Sequence, residues 1–212
     1  HTVLGALYGG YATERARVGA SARIGYSSMQ SDRTIAIGTD VRRATADFGG
    51  LDLGARVEAG VLALATESWH LEPYASVAYT HLEREAFRES GGGAVGLAVA
   101  RETVDSVLVG AGTRLRGAFE IERDVWLLPE LYGEWQQEVA DRDRRVAARF
   151  TGQTTPSGFT ARGAELARHG ANAGFAWTVR TANGYEARAG YDLALGDDRF
   201  SHAVSVRIGT FW

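Results

Sequence analysis

Alternation with a period of two residues runs through this chain, and it is cleanest over the last thirteen residues, Phe200 to Trp212. Val204, Val206, Ile208, Thr210 and Trp212 share one parity, and Ser201, Ala203, Ser205, Arg207 and Gly209 share the other. Only an extended strand sends successive side chains to opposite sides, so this is a strand with one apolar and one polar face. A terminal strand of a soluble sheet usually frays. Closing the apolar face on Phe211-Trp212 marks it instead as a wall element with a hydrophobic outside, as in an outer-membrane β-barrel.

The same pattern recurs along the sequence. Ala16, Val18, Ala20, Ala22, Ile24 and Tyr26 alternate with Arg17, Gly19, Ser21, Arg23 and Gly25, with Arg15 preceding them on the polar parity. Leu51, Leu53, Ala55, Val57, Ala59 and Val61 oppose Asp52, Gly54, Arg56, Glu58 and Gly60. Comparable alternation covers 71–79, 107–116, 125–136, 171–180 and 185–195. About nine strands are countable in this way.

Hydropathy averaged over a window misses such a protein. The chain is 45% hydrophobic, yet its mean hydropathy is −0.18. No apolar run approaches the ~20 residues of a membrane helix, because lipid-facing and lumen-facing residues cancel within each strand. Cysteine is absent, which removes disulfides and thiolate metal sites and fits an oxidising periplasm. Net charge is −3, so no global basic field points to nucleic acid. No signal peptide opens the sequence; an exported chain would carry one upstream of His1.

The links alternate between short and long, as periplasmic turns and extracellular loops do. Short ones read at Ala12-Thr13-Glu14, Ala65 to Ser68, Glu120 to Arg123 and Thr181 to Gly184, the last an Asn-Gly hairpin signal. Long ones read at Ser31 to Arg43, Arg84 to Glu102 and Glu138 to Arg168. On this arrangement Tyr11, Phe119, Tyr185 and Trp212 form an inner aromatic girdle, and Tyr26, Tyr79, Trp135 and Tyr191 an outer one. The competing fold is a soluble β-sandwich, but arginine and glutamate in mid-strand would sit badly in an apolar sandwich core.

Several segments carry a resemblance. Leu71-Glu-Pro-Tyr-Ala-Ser-Val-Ala-Tyr-Thr-His-Leu-Glu83, Leu128-Pro-Glu-Leu-Tyr-Gly-Glu-Trp135, Phe159-Thr-Ala-Arg-Gly163 and the stretch from Gly190 to Trp212 resemble the type Va autotransporter β-domain, over nearly the whole chain and in that family's order. The resemblance implies an all-β, antiparallel transmembrane β-barrel of about twelve strands, threaded by an N-terminal helix and exporting a passenger to the cell surface. Residues 1–212 would then be the translocator domain lacking its first strands and pore helix. An open, odd-numbered sheet would leave two edges unpaired in lipid, so the strand ending near Tyr11 corresponds to the family's fourth. The implied partners are the passenger and pore helix, outer-membrane lipid and lipopolysaccharide, and the β-barrel assembly machinery. That machinery would read Val204, Val206, Ile208, Phe211 and Trp212 as an assembly signal. The alternative is a stand-alone outer-membrane channel or adhesin barrel.

Enzyme signals are weak. Gly91-Gly-Gly-Ala-Val-Gly96 matches a dinucleotide fingerprint formally, but no helix of a βαβ unit follows, and a surface loop is expected. His70, His81, His169 and His202 lie singly without metal-ligand spacing, so no metal and no cofactor are expected. Asp141 to Arg145 reads as a solvated loop, with lipopolysaccharide phosphate as a lesser possibility, and Arg162 as a residue ordering the long loop. The mechanism should lie in the lumen, with Arg15, Arg17, Arg23, Arg56, Arg114, Arg116, Arg188 and Arg207 facing Asp52, Glu58, Glu72, Glu130, Glu134, Glu186 and Asp192. Both signs are present, giving a mixed hydrogen-bonded lining rather than an ion-selective ring. Some relatives use lumenal acids for self-cleavage of the inner helix; Glu130 and Glu134 are the candidates here, and otherwise no enzyme is expected.

Overall fold

The computed structural model describes residues 1–140, 144–153, 158–163, 167–197 and 199–210. The first strands are β1 (Thr2–Ala12), β2 (Ala16–Ile37), β3 (Asp40–Val61), β4 (Leu64–Ala65) and β5 (Trp69–Arg84). Next come β6 (Phe87–Arg88), β7 (Leu97–Val99), β8 (Glu102–Gly117), β9 (Phe119–Glu122) and β10 (Val125–Glu138). The last are β11 (Arg145–Phe150), β12 (Phe159–Arg162), β13 (His169–Thr181), β14 (Tyr185–Gly196) and β15 (Arg199–Thr210).

Nine of these form one antiparallel meander in the order β1-β2-β3-β5-β8-β10-β13-β14-β15. That matches the count read from alternation. Each long strand pairs with its neighbour without a register break, from Arg17↔Gly60 and Arg56↔Ala78 through to Arg188↔Arg207. An unbroken register holds each side-chain parity on one side across the whole sheet.

The faces are inverted relative to a soluble protein. Val57, Val77, Leu131, Trp177, Val206 and Ile208 are all more than half exposed on one side. Glu72, Tyr74, Ser76, Glu134 and Thr178 are buried on the other. Charged groups from strands three apart meet on that second face, as Arg56 of β3 does with Glu134 of β10. Strands stand about 4.8 Å apart in a sheet, so side chains from β3 and β10 touch because the sheet curves, concave on the charged side.

Three of the short turns share one device. The Thr13 hydroxyl accepts the Ala16 N–H at 3.0 Å, Thr66 accepts that of Trp69 at 3.0 Å, and Thr181 accepts that of Tyr185 at 3.3 Å. A hydroxyl bonding the backbone a few residues on stabilises a tight reversal. Gly184 takes φ +84, as the Asn-Gly signal requires.

Two links differ from the sequence reading. Glu120 to Arg123 is not itself a turn: Phe119–Glu122 pairs with β10, and the reversal falls at Arg123-Asp124, where Asp124 takes φ +64. Nor is Ser31 to Arg43 a loose link. β2 and β3 stay paired out to Ile37↔Asp40, forming a hairpin of 22-residue strands that turns at Gly38 (φ +60). Its polar residues continue a strand because cross-strand ion pairing, Arg43 with Asp32, replaces apolar contact.

The other two long links also carry structure. Their described parts form a second sheet in the order β12-β11-β7-β6, with a single 3₁₀ turn at Gly93–Val95. This small cap packs on the inward parity of the β2–β3 extension. Phe87 stacks on Phe48 at 4.3 Å, Arg33 bonds Glu89 at 2.6 Å, and Thr45 and Ser90 exchange both backbone hydrogen bonds. Ala44 and Ala46 are buried beneath it. Gly91 (φ +81) approaches the Arg43 carbonyl so closely that any Cβ would collide with it.

Candidate functional site

Ion pairs run almost continuously across the concave face. Arg17 on β2 reaches Glu58 at 2.7 Å and Glu72 at 2.9 Å. Arg114 on β8 grips the same two acids at 3.0 and 3.2 Å while lying 4.6 Å over the Tyr74 ring. Arg116 ties Glu72 to Glu130, each at 2.9 Å, and Arg188 on β14 completes Glu130 at 2.8 Å. Between β13 and β14, Thr178 accepts a further bond from Arg188.

A second knot lies beside the first. Glu134 receives Arg56 on both oxygens at 2.9 Å, the Ser76 hydroxyl at 2.5 Å, the Tyr74 hydroxyl at 3.3 Å and Gln136 at 3.3 Å. Arg56 also approaches Glu58 at 3.4 Å, which joins the two knots. Glycines at 60, 110 and 112 leave room for these side chains; a Cβ on Gly60 would meet Glu72, one on Gly110 would meet Glu134, and one on Gly112 would meet Tyr74.

Most residues assigned to the lumen lie on this face. Arg17, Arg56, Glu58, Arg114, Arg116, Glu130, Glu134 and Arg188 belong to the network itself. Arg23 pairs with Asp52 at 3.0 Å further along the wall, Glu186 with Arg180 at 2.6 Å, and Asp192 accepts the Tyr132 hydroxyl at 2.6 Å. Arg207 shares the face, directly across from Arg188, on an edge strand. Arg15 lies in the Thr13–Ala16 reversal rather than on a strand, so its alternation with Arg17 does not place it in the wall. Alternation alone missed Tyr74 and Ser76 as acid ligands, because only the register brings them beside Glu134.

The aromatic residues assigned to the girdles fall on the convex side where they are described. Tyr11, Tyr26, Tyr79, Trp135 and Tyr185 are exposed there. Phe119 meets Trp69 edge-to-face at 5.3 Å, and Tyr191 stacks with Phe175 at 5.8 Å. Trp69 belongs with the Tyr11, Phe119 and Tyr185 group, though its place at a strand's first residue hid it in sequence. Val204, Val206 and Ile208 are exposed on the same side, while Phe211 and Trp212 lie outside the described residues. The histidines are dispersed: His81 bonds Asp105 at 2.8 Å, His169 stacks on Trp135, and His202 lies near Tyr191. The described residues hold no cluster of metal-binding side chains.

A sheet with an apolar exterior and an ion-paired, concave interior is a section of a transmembrane barrel. Residues 1–192 match the autotransporter β-domain family. The chain belongs to that family. Its fold is shared with the translocator domain of the autotransporter NalP from Neisseria meningitidis, at TM-score 0.65 and 20% identity, covering all of this chain and 66% of that one. The chain is also 25% identical over 179 residues to the esterase EstA of Pseudomonas aeruginosa and to that of Pseudomonas putida. It spans 27% of the length of each esterase, so the activity in their names belongs to those proteins. This autotransporter β-domain accordingly presents an apolar convex face and an ion-paired concave face on one curved sheet.

Proposed function

We propose that this β-domain lies in the bacterial outer membrane, forming most of a pore wall that carries a passenger domain, linked upstream, to the cell surface. One observation carries this: the curved sheet buries its charges on the inside and exposes its apolar side chains outside. In this arrangement the convex aromatics lie at the two lipid–water boundaries, and Val204, Val206 and Ile208 belong to the segment the assembly machinery recognises.

The edges support further strands. Among the described residues β1 pairs only with β2, and β15 only with β14. Nine alternating strands leave these two edges running parallel, so antiparallel closure needs an odd number of additional strands. About three would complete a twelve-stranded barrel with no open edge in lipid. The lumen then holds the pore helix against the arginine and glutamate lining. Glu130 and Glu134 are each held by two or more donors, which favours a role in bracing the wall over cleavage of the helix.

The test is surface display from cells producing the full-length protein. Protease added outside intact cells is expected to remove the region upstream of His1. Deleting β13 to β15 should abolish that accessibility. An upstream region that stays protected in intact cells while the barrel migrates as a folded, heat-modifiable species would refute export and leave a channel or adhesin barrel.

A further inference from the structure

The extracellular cap has two unlike faces. In register across its sheet, Phe87, Val99, Ala148 and Phe159 share one side, with Leu97 and Phe150 beside them. The next residues along each strand share the other: Arg88 opposite Ala98, Ala98 opposite Arg149, and Arg145 opposite Arg162. The first side is apolar and includes the Phe48–Phe87 stack. The second carries four arginines and, apart from Thr160, only alanines between them.

A cleft of about 600 Å³ opens on the arginine side. Ala86, Ala98, Ala100 and Ala147 line it together with Arg88 and Arg149, and Phe87, Val99, Ala148 and Gly158 complete the lining. Neither of these two arginines has an ion-pair partner among the described residues, in contrast to Arg114 and Arg116 on the concave face of the wall. Their strands are separated only by β7, so the two guanidinium stems rise roughly 10 Å apart. Arg145 and Arg162 lie directly opposite one another on the same side.

We propose that this cleft binds an anionic saccharide chain, its sulfate or phosphate groups held by Arg88 and Arg149 and its sugar rings lying on the alanine floor. Guanidinium groups bind such oxyanions through two parallel hydrogen bonds. The alternatives fit worse. A peptide strand docks through free backbone groups, but the backbone of Ala98, Ala100 and Ala147 is already paired within the sheet, including Ala100 N–H to the Ala147 carbonyl at 2.9 Å. Single-stranded nucleic acid needs a row of aromatic platforms, and Phe87 is the single aromatic residue among those lining the cleft. Alanine, by contrast, lets a broad, low ring approach the strands closely.

The proposal rests on the barrel reading only in placing the cap outside the cell, so binding is measured first on the purified full-length protein in detergent micelles. The probe is dextran sulfate, with uncharged dextran and inorganic phosphate in parallel. Dextran sulfate is expected to bind, uncharged dextran not to bind, and phosphate to compete only weakly. Replacing both Arg88 and Arg149 with Ala should weaken binding roughly 10- to 100-fold and lower the salt dependence by about two released counter-ions. Ala147→Trp keeps every charge but fills the floor, and it should weaken binding as well. Arg123→Ala, at the turn on the opposite end of the wall, should leave binding unchanged. Three results would overturn the proposal: full binding by the double arginine variant, full binding by Ala147→Trp, or an equal loss with Arg123→Ala. Heat-modifiable gel mobility establishes that each variant is folded. Failure of passenger display in cells would leave these binding results standing, so the two ideas fail separately.

Discussion

The wall and the cap are both antiparallel sheets, they meet along β3, and they are held together by different means. Wall strands run for 11 to 22 residues, with their charges joined in a network that crosses from β2 to β14. Cap strands run for two to six residues and hang on the wall through the Arg33–Glu89 pair, one aromatic stack and one backbone bridge. The difference teaches where each charge is useful. Inside the wall nearly every arginine is neutralised by an acid, so the lining is hydrophilic without being strongly basic. On the cap's arginine side, Arg88 and Arg149 have no ion-pair partner among the described residues.

The largest expected effect comes from reversing the polarity of the wall. Val57 is mid-strand on the convex face and half exposed. Val57→Arg should destabilise the barrel by roughly 2–4 kcal/mol, since arginine then faces hydrocarbon near the midplane. Urea unfolding of the full-length protein in lipid vesicles would show it, while cap proteolysis before unfolding should not change. An unaltered midpoint would mean the convex face does not contact lipid.

Breaking one knot inside the wall should matter less. Glu134→Ala strips Arg56 of its bidentate partner and leaves the Ser76 and Tyr74 hydroxyls without their acceptor. A fully buried pair of this kind is worth about 3–5 kcal/mol on removal of one member. Arg56 keeps about a third of its side chain exposed and retains Glu58, so about 1–2 kcal/mol is expected. The same urea titration measures it, and a loss as large as that of Val57→Arg would mean the lumen is drier than the structure implies.

The smallest effect separates the cap from the wall by pH. The Arg33 guanidinium hydrogen-bonded to Glu89 holds that carboxyl below the usual carboxylate range, against burial, which raises it. A carboxylate depressed in the folded state contributes stability above its unfolded value and loses it as pH falls through the folded one. Acidification below the ordinary glutamate range, about 4.3, should therefore loosen the cap to proteolysis while the wall stays folded. Glu89→Gln should loosen it at neutral pH and flatten the pH response. If cap and wall were to open together, the cap would be no separate unit.

Alternation reads the wall well because a strand's parity is local: Arg17, Arg56, Glu130 and Arg188 reach the concave face from their own sequence neighbours alone. It fails where the deciding contact is remote. Arg15 has the right parity but lies in a reversal stabilised by the Thr13 hydroxyl. Tyr74 and Ser76 read as ordinary polar-face residues until the β5–β8–β10 register sets them beside Glu134. The cap was hidden for the same reason. Its strands are too short for a periodic signal, and its two halves join only through β7 and β11, some fifty residues apart in sequence, where Val99 meets Ala148.

The sequence by itself determined that the strands are two-faced, with apolar and charged residues on opposite parities, and that a tight turn falls at the Asn-Gly of Thr181 to Gly184. These follow from a strand's period of two and from the turn preference of Asn-Gly, both properties of a short stretch of chain. Tertiary structure alone decided which acid each arginine meets, that two separate loops build one sheet over the β2–β3 hairpin, and that the arginines of that sheet gather around an alanine floor. Each of these depends on the register and curvature that bring distant strands within side-chain reach, which no local pattern encodes.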